Sequence, residues 1–580
     1  MNAYKTLAVA PTLQRCLVAA SVACGALSLL FSAFFWARFH IDIPIQDTLR
    51  LLPVVQAFID SGWGGVPFQD WVSPHASAHR VAVGRLLMAL EYRYLDGDNS
   101  LFYLGSWLSI AVLCYLYFRV ARLGTADRAG VSVFMLGMAL IYTCSYTQTY
   151  NLVFPINALW YICAACSALS VYLMLFPVRE LTAARALSAC FFAVLAAYSV
   201  FSGVITCLVI SVLALRYRNR QALWVPVLML PFVILYLQQV KSGEELVLET
   251  LSGTSVHLSL GAQLLSVFDK RERLPEYVVA FLTSPLSATS SPLPYLFLAP
   301  SLCLVIYGWV NTVRRRCSTE TTGGEAETFY LAMATICLGT AIACFVGRSF
   351  SDPTVHRYQT IVMLYWLSIT GLLLHSIPVG RKPLARVAVM LLLLLAPAFI
   401  FYQETGFNLM AGVKKHLYAT ETEITTRLGA PNFRDPRFSG RRFSPDYIAF
   451  ERFLIEHTPL GKRDAPDPDT GDRPLQNCEF MRIRVGPDRG RPDQLRRIKL
   501  TVEGKRLQRF RRARISDGHG LYGYLYPNPK EPTTIAKLVW DDTVWTGYFR
   551  GSLGDLPLQL VFEAALGPDV ACRLPSGGRA

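Results

Sequence analysis

Residues 16–36 read Cys16-Leu-Val-Ala-Ala-Ser-Val-Ala-Cys-Gly-Ala-Leu-Ser-Leu-Leu-Phe-Ser-Ala-Phe-Phe-Trp36, an unbroken run without a charge. A bilayer's hydrocarbon core of about 30 Å takes roughly 20 apolar residues as a helix, so this stretch is long enough to span one. Lys5 and Arg15 before it give it the look of a secretory leader, but no small-residue cleavage site precedes Phe34, Phe35 and Trp36. It reads as a retained first helix with its N-terminus inside. Similar runs recur as far as residue 402. Of the 580 residues, 53% are hydrophobic and 17% charged. That excludes an ordinary soluble globule and predicts a polytopic α-helical membrane protein with a soluble remainder.

Short Lys and Arg clusters between the apolar runs set the expected topology, because inner-membrane proteins hold such clusters on the cytoplasmic side. They are Arg119, Arg122 and Arg128; Arg179 and Arg185; Arg216, Arg218 and Arg220; Arg314 to Arg316; and Arg381, Lys382 and Arg386. Placing all of them inside requires spans at 16–36, 101–118, 129–147, 153–176, 222–240, 292–310, 329–346, 360–377 and 387–402. The run at 187–215 has basic flanks on both sides, which two short helices bent at 198–203 reconcile. The expectation is therefore about 11 helices over 1–402, a cytoplasmic N-terminus, a large first external loop at 37–100 and a second at 241–291. Within the second, 264–281 is expected to lie on the membrane surface. Topology explains much of the net charge of +15, so no nucleic-acid partner is expected.

From residue 403 the composition turns to Arg, Asp, Pro and Gly, and 403–580 is expected to be a soluble domain on the periplasmic side of a bacterial inner membrane. It is mostly β from about residue 478, with strand-like stretches at 480–485, 497–502, 520–526, 535–539 and 546–549. Tyr522, Tyr524 and Tyr526 alternate onto one face of a strand. With Trp540, Trp545 and Tyr548 they would make either a sugar-stacking platform or a buried aromatic core. Cys478 and Cys572 flank the strands and either pair in an oxidising periplasm or stay free and buried. The other cysteines pack in or beside apolar runs, and Cys163-x-x-Cys166 has no second ligand pair near it, so no metal site is expected.

Chemistry concentrates in the first external loop and at the outer ends of later helices. Residues 43–94 include Asp47, Arg50, Trp63, Asp70, Trp71, His75, His79, Arg80, Arg85 and Glu91, too many ionisable and aromatic groups for a mere connection. Asp47 is the first candidate for a general base, the alternative being a cap on the helical stretch 48–59 or a pair with Arg50. His75 and His79 lack a third zinc ligand; with the planar fork of Arg80 they suit a donor phosphate, or else a hydrogen-bonded surface turn. Arg348, His356 and Arg357, with Asp352, stand where a lipid phosphate would sit, although arginines at helix ends also snorkel to head groups. Asn151 either contacts sugar hydroxyls or satisfies loop backbone.

Groups held outside a bilayer, opposite the cytoplasm, have no access to nucleotide-activated substrates, so a donor must arrive on a lipid carrier. A short N-terminus, a first helix and a large external loop with an early acid, Ile43-Pro-Ile-Gln-Asp47, resemble the GT-C class of polytopic glycosyltransferases. Ser73-Pro-His75 through His79-Arg80, Tyr150-Asn151 through Pro155, Ser199 through Gly203, and Gly347-Arg348 followed by His356-Arg357-Tyr358 add to the likeness, which covers residues 1–402. The resemblance implies a polyprenyl-phosphate sugar as donor, a catalytic acid in the first loop, and inverting transfer to lipopolysaccharide, an envelope polysaccharide or a surface protein such as pilin. The acidic pair common in that class, Asp-x-Asp or Asp-Glu, is absent near Asp47, Asp42 standing five residues away, and no divalent metal is assigned. The alternatives are a transporter or flippase for a lipid-linked sugar and a non-catalytic assembly subunit.

Overall fold

The computed structural model describes residues 11–40, 48, 51–74, 79–95, 97–124, 129–176, 181–215, 220–237, 271–284, 293–317, 324–348, 356–376, 481–487, 496–502, 510–516, 521–527, 544–549, 559–564 and 570–573. They fall in two compact units, the first over Met1–His40, Ser61–Met88 and Leu101–Gln403, the second over Ile41–Asp60, Ala89–Ser100 and Glu404–Ala580.

The first unit is helical. Its long elements are α1 (Pro11–Phe39), α5 (Ser100–Gly124), α6 (Ala129–Thr143), α8 (Ala158–Leu175), α9 (Ala183–Ala197), α10 (Ser202–Ala214) and α11 (Arg220–Leu237). They are followed by α12 (Leu274–Leu282), α13 (Leu293–Cys317), α14 (Glu325–Arg348) and α15 (Gln359–Ser376). Short helices α3 (Phe68–Val72) and α7 (Thr149–Val153) lie between them in sequence; α2 (Leu52–Ser61) belongs to the second unit but for its last residue, and α4 (Ala82–Tyr94) has residues in both. Among the described residues four segments are long and apolar enough to cross a membrane: Arg15–Ala37, Ser100–Leu123, Pro155–Leu175 and Glu325–Val346. The chain is thus a largely helical protein with membrane-length apolar helices. Leu104, Leu108 and Tyr115 on α5 and Leu223, Val227 and Leu230 on α11 are exposed, as an apolar surface facing lipid would be.

In lipid, helices are held by close packing and by hydrogen bonds across the interface. Both operate here. A Cβ built on Gly137 of α6 would stand 2.6 Å from the main chain of Ser21 in α1, and one on Gly25 would stand 2.8 Å from the Gly137 carbonyl oxygen, so the two backbones nearly touch. The Ser32 hydroxyl then donates to the Cys144 carbonyl at 2.6 Å. Hydroxyl pairs join α5 to α15 (Tyr117 and Ser368, 2.7 Å), α13 to α15 (Ser301 and Tyr365, 2.7 Å) and α8 to α10 (Ser167 and Thr206, 2.7 Å).

The long apolar run at 187–215 breaks where its basic flanks predict, α9 ending at Ala197 and α10 starting at Ser202. Gly203 makes the hairpin possible: its missing Cβ would collide with the Ala196 carbonyl carbon at 2.0 Å. The predicted surface helix at 264–281 is corrected over its described part. Phe281 and Leu282 of α12 are fully buried, Tyr277 stacks edge-on with Phe345 of α14, and the Trp366 indole of α15 donates to the Leu282 carbonyl at 2.8 Å. The apolar face of this amphipathic helix is covered by protein.

The second unit contains a seven-stranded, wholly antiparallel sheet of β1 (Met481–Pro487), β2 (Arg496–Val502), β3 (Phe510–Ser516), β4 (Leu521–Pro527), β5 (Val544–Phe549), β6 (Gln559–Ala564) and β7 (Val570–Arg573), in the order β1-β2-β5-β4-β3-β6-β7. Paired residues share a face, and Leu525, Ala513 and Phe562 form one fully buried row, Ile515, Leu560 and Cys572 another. Cys572 is disulfide-bonded; Cys478, the partner it would have under one of the two readings, lies outside the described residues, as do Trp540 and the expected strand at 535–539. Strands β3, β6 and β7 have no counterpart in the sequence-based expectation.

Substituting Gly137 by Leu should force α1 and α6 apart and cost about 1–3 kcal/mol or more, read as a lowered thermal midpoint in detergent. Gly64→Ala, where a Cβ meets nothing within 4 Å, should leave the midpoint unchanged.

Candidate functional site

Polar and aromatic groups collect where several helices of the first unit begin or end. His79 precedes α4, and its Nδ1 accepts from the Phe201 amide at 3.4 Å in the α9–α10 turn. Its ring meets Trp160, near the start of α8, edge-on at 6.4 Å. Trp160 in turn stands perpendicular to Tyr358 at 5.4 Å, and Tyr358 packs on Phe281 at 5.0 Å. Tyr358 closes the short turn His356–Tyr358 ahead of α15, and the Arg357 guanidinium lies 5.7 Å from its ring centre. A chain of contacts therefore connects His79 to Arg357, two candidates that are far apart in sequence.

Asn151 of α7 joins the same turn. Its amide nitrogen donates to the Arg357 carbonyl at 3.2 Å and to the Thr360 hydroxyl at 2.9 Å; that hydroxyl donates to Gln148 Oε1 at 2.9 Å. Asn151 and Gln148 are 1% and 0% exposed. The network leaves buried atoms unsatisfied: Asn151 Oδ1, Gln148 Nε2, and Gln359 Oε1, whose amide nitrogen donates to Ser284 at 2.8 Å. A buried group without a partner costs about 1–3 kcal/mol, and such groups in a native fold call for a water, an ion or a ligand. Gln148 was missed in the sequence; the signal was its spacing from Asn151, three positions apart on one turn.

Arg80 and Arg85 clamp the C-terminal end of α3. Arg80 Nε donates to the Tyr236 carbonyl at 2.9 Å and Nη1 to the Val72 carbonyl at 2.7 Å, while the Arg80 amide donates to the Tyr236 hydroxyl at 3.1 Å. Two nitrogens of that guanidinium, for which the sequence offers either a donor phosphate or a hydrogen-bonded turn, thus donate to main-chain carbonyls. Arg85, 3% exposed, donates through Nη1 to the carbonyls of Trp71 at 2.8 Å and Ser73 at 2.7 Å. Burial holds its guanidinium down to about 10, Asp70 draws it back up and Arg80 pushes it further down; it stays cationic at neutral pH. Two buried cations five residues apart hold residues 71–73 by their backbone, and Trp63 stacks on Trp71 at 5.9 Å.

Asp47 and His75 lie outside the described residues, as do the side chains of Arg348 and His356, whose backbones end α14 and open the His356–Tyr358 turn. Among the described residues no group of three or more His, Cys, Asp or Glu converges as metal ligands would.

Arg85→Gln should release residues 71–73 and raise their amide hydrogen exchange while α8 and α15 keep theirs. Asn151→Ala should destabilise the fold by about 1–3 kcal/mol, because Thr360 and the Arg357 carbonyl lose their donor; thermal unfolding in detergent checks it.

No protein-family model, no curated protein and no solved structure matches the chain, so its fold and site stand on its own geometry.

Proposed function

We propose that the protein is an inverting membrane glycosyltransferase of the GT-C kind, moving a sugar from a polyprenyl-phosphate carrier to an acceptor on the far side of a bacterial inner membrane. The observation that carries the reading is the buried amide and hydroxyl relay of Gln148, Asn151 and Thr360, joined to Arg357 and to His79 at one end of apolar helices. Unsatisfied amide groups suit the hydroxyls of a sugar, and an adjacent guanidinium suits a phosphate.

In this reading the chain makes 11 crossings, the N-terminus is cytoplasmic, and the sheet domain stands in the periplasm. The basic clusters support it: Arg119 and Arg122 close α5 and Arg314 lies near the end of α13, whereas the relay sits at helix starts. The base this chemistry requires is assigned from the sequence alone to Asp47, which takes the proton of the acceptor hydroxyl as that oxygen bonds the anomeric carbon. The bond to the phosphate oxygen breaks, and polyprenyl phosphate leaves with the electron pair. Arg357 stabilises the charge that grows on the leaving group; Arg348, His356 and His75 remain phosphate candidates on sequence grounds alone. Arg80 and Arg85 act through the segment they hold.

Asp47→Ala should lower transfer by about 10²–10⁴-fold at unchanged membrane insertion, and Arg357→Gln should weaken transfer without unfolding the bundle. The deciding measurement is mass spectrometry of lipopolysaccharide, envelope glycan and surface proteins from cells with and without the gene. A sugar missing from one of them is expected; identical glycans in all three would overturn the proposal. Full transfer by Asp47→Ala would remove the base assignment and favour an assembly subunit.

A further inference from the structure

The two faces of the seven-stranded sheet are chemically opposite. One carries the buried rows of Leu525, Ala513 and Phe562 and of Ile515, Leu560 and Cys572. Register puts the intervening positions on the other side, since successive strand residues alternate. There one cross-strand row runs Arg497, Tyr548, Tyr524 and the half-buried Arg514 through β2, β5, β4 and β3 and continues into Val561 and Ala571 of β6 and β7, so the cationic part of this face lies from β1 to β3. The adjacent row runs Arg484, Lys499, Thr546 and Tyr526. Arg482 and Arg512 occupy the same face, and Glu563, opposite Arg512, is its one acid among the described residues. Lys499 is exposed. Trp545 pairs with the buried Leu500 and falls on the opposite face from the tyrosines, so the aromatic residues do not form a single cluster.

We propose that this cationic, tyrosine-bearing face binds an anionic polysaccharide. From Arg497 to Arg514 is three strand spacings, roughly 14 Å, with two tyrosine positions between. Sugar rings stack on aromatic faces, and guanidinium forks pair with carboxylate or phosphate groups along the chain. A lipid-docking face would instead need apolar side chains to insert, and the two central rows hold only Arg, Lys, Thr and Tyr between β2 and β4. Nucleic acid is disfavoured by the disulfide at Cys572, which belongs to an oxidising compartment. The inference does not rest on transfer chemistry.

The test titrates the full-length protein, held in phosphatidylcholine nanodiscs, with polygalacturonate, using neutral dextran and phosphatidylglycerol vesicles as the other arms. Polygalacturonate should bind, dextran should not, and added salt should weaken the binding. The double variant Arg497→Gln, Arg514→Gln should lose affinity by about tenfold or more. Tyr524→Val, which keeps strand propensity, should also weaken binding while leaving the salt response. Absence of polyuronate binding, binding unchanged by both variants, or capture of phosphatidylglycerol vesicles alone would overturn the proposal. Should the double variant fail to fold, the salt response and Tyr524→Val decide. No donor lipid is present, so either result leaves the transferase reading to its own experiment.

Discussion

Backbone amides inside a hydrocarbon layer have no water to turn to, so a chain crossing it satisfies them within each helix. Side-chain polarity is then affordable in two places: at helix ends, and in pairs that face each other across an interface. The first unit uses both. Tyr117 with Ser368 and Ser167 with Thr206 each match one hydroxyl to another, whereas the amides of Gln148, Asn151 and Gln359 keep atoms unmatched. Unmatched hydroxyls also occur singly along the helices, at Ser106, Ser132 and Tyr330; what sets the three amides apart is that they gather around the His356–Tyr358 turn.

Arg80 and Arg85 are buried and donate to main-chain carbonyls at the end of α3 and on α11, although Arg85 Nε has no partner, making the segment before α4 part of the scaffold. Arg357 lends its carbonyl to Asn151 and lies beside Tyr358. Which carbonyls these arginines would meet is a tertiary fact that sequence does not report.

What could be read in advance followed hydropathy and punctuation. The α9–α10 break was legible because arginines flank both ends of an apolar run too long for one span. Asn151 and Arg357 were separate candidates at one expected level; their meeting is a tertiary fact. Strand β3, Phe510-Arg-Arg-Ala-Arg-Ile-Ser516, was hidden because its apolar alternation is confined to Ala513 and Ile515 amid arginines. β6 and β7 are short and follow a loop rich in Gly, Asp and Pro. The amphipathic pattern of α12 could not say whether lipid or protein covers its apolar face. Gln148 and Arg85 depend on partners distant in the chain.

The α9–α10 hairpin has a mechanical consequence. Helices of 15 and 13 residues rise only about 20–23 Å, well short of a hydrocarbon core of about 30 Å. A bilayer meeting them must thin locally or let polar flanks sink inward. Phe201, the partner of His79, stands in the turn of that hairpin. The shortness of the pair would then form a dimple in a membrane beside it.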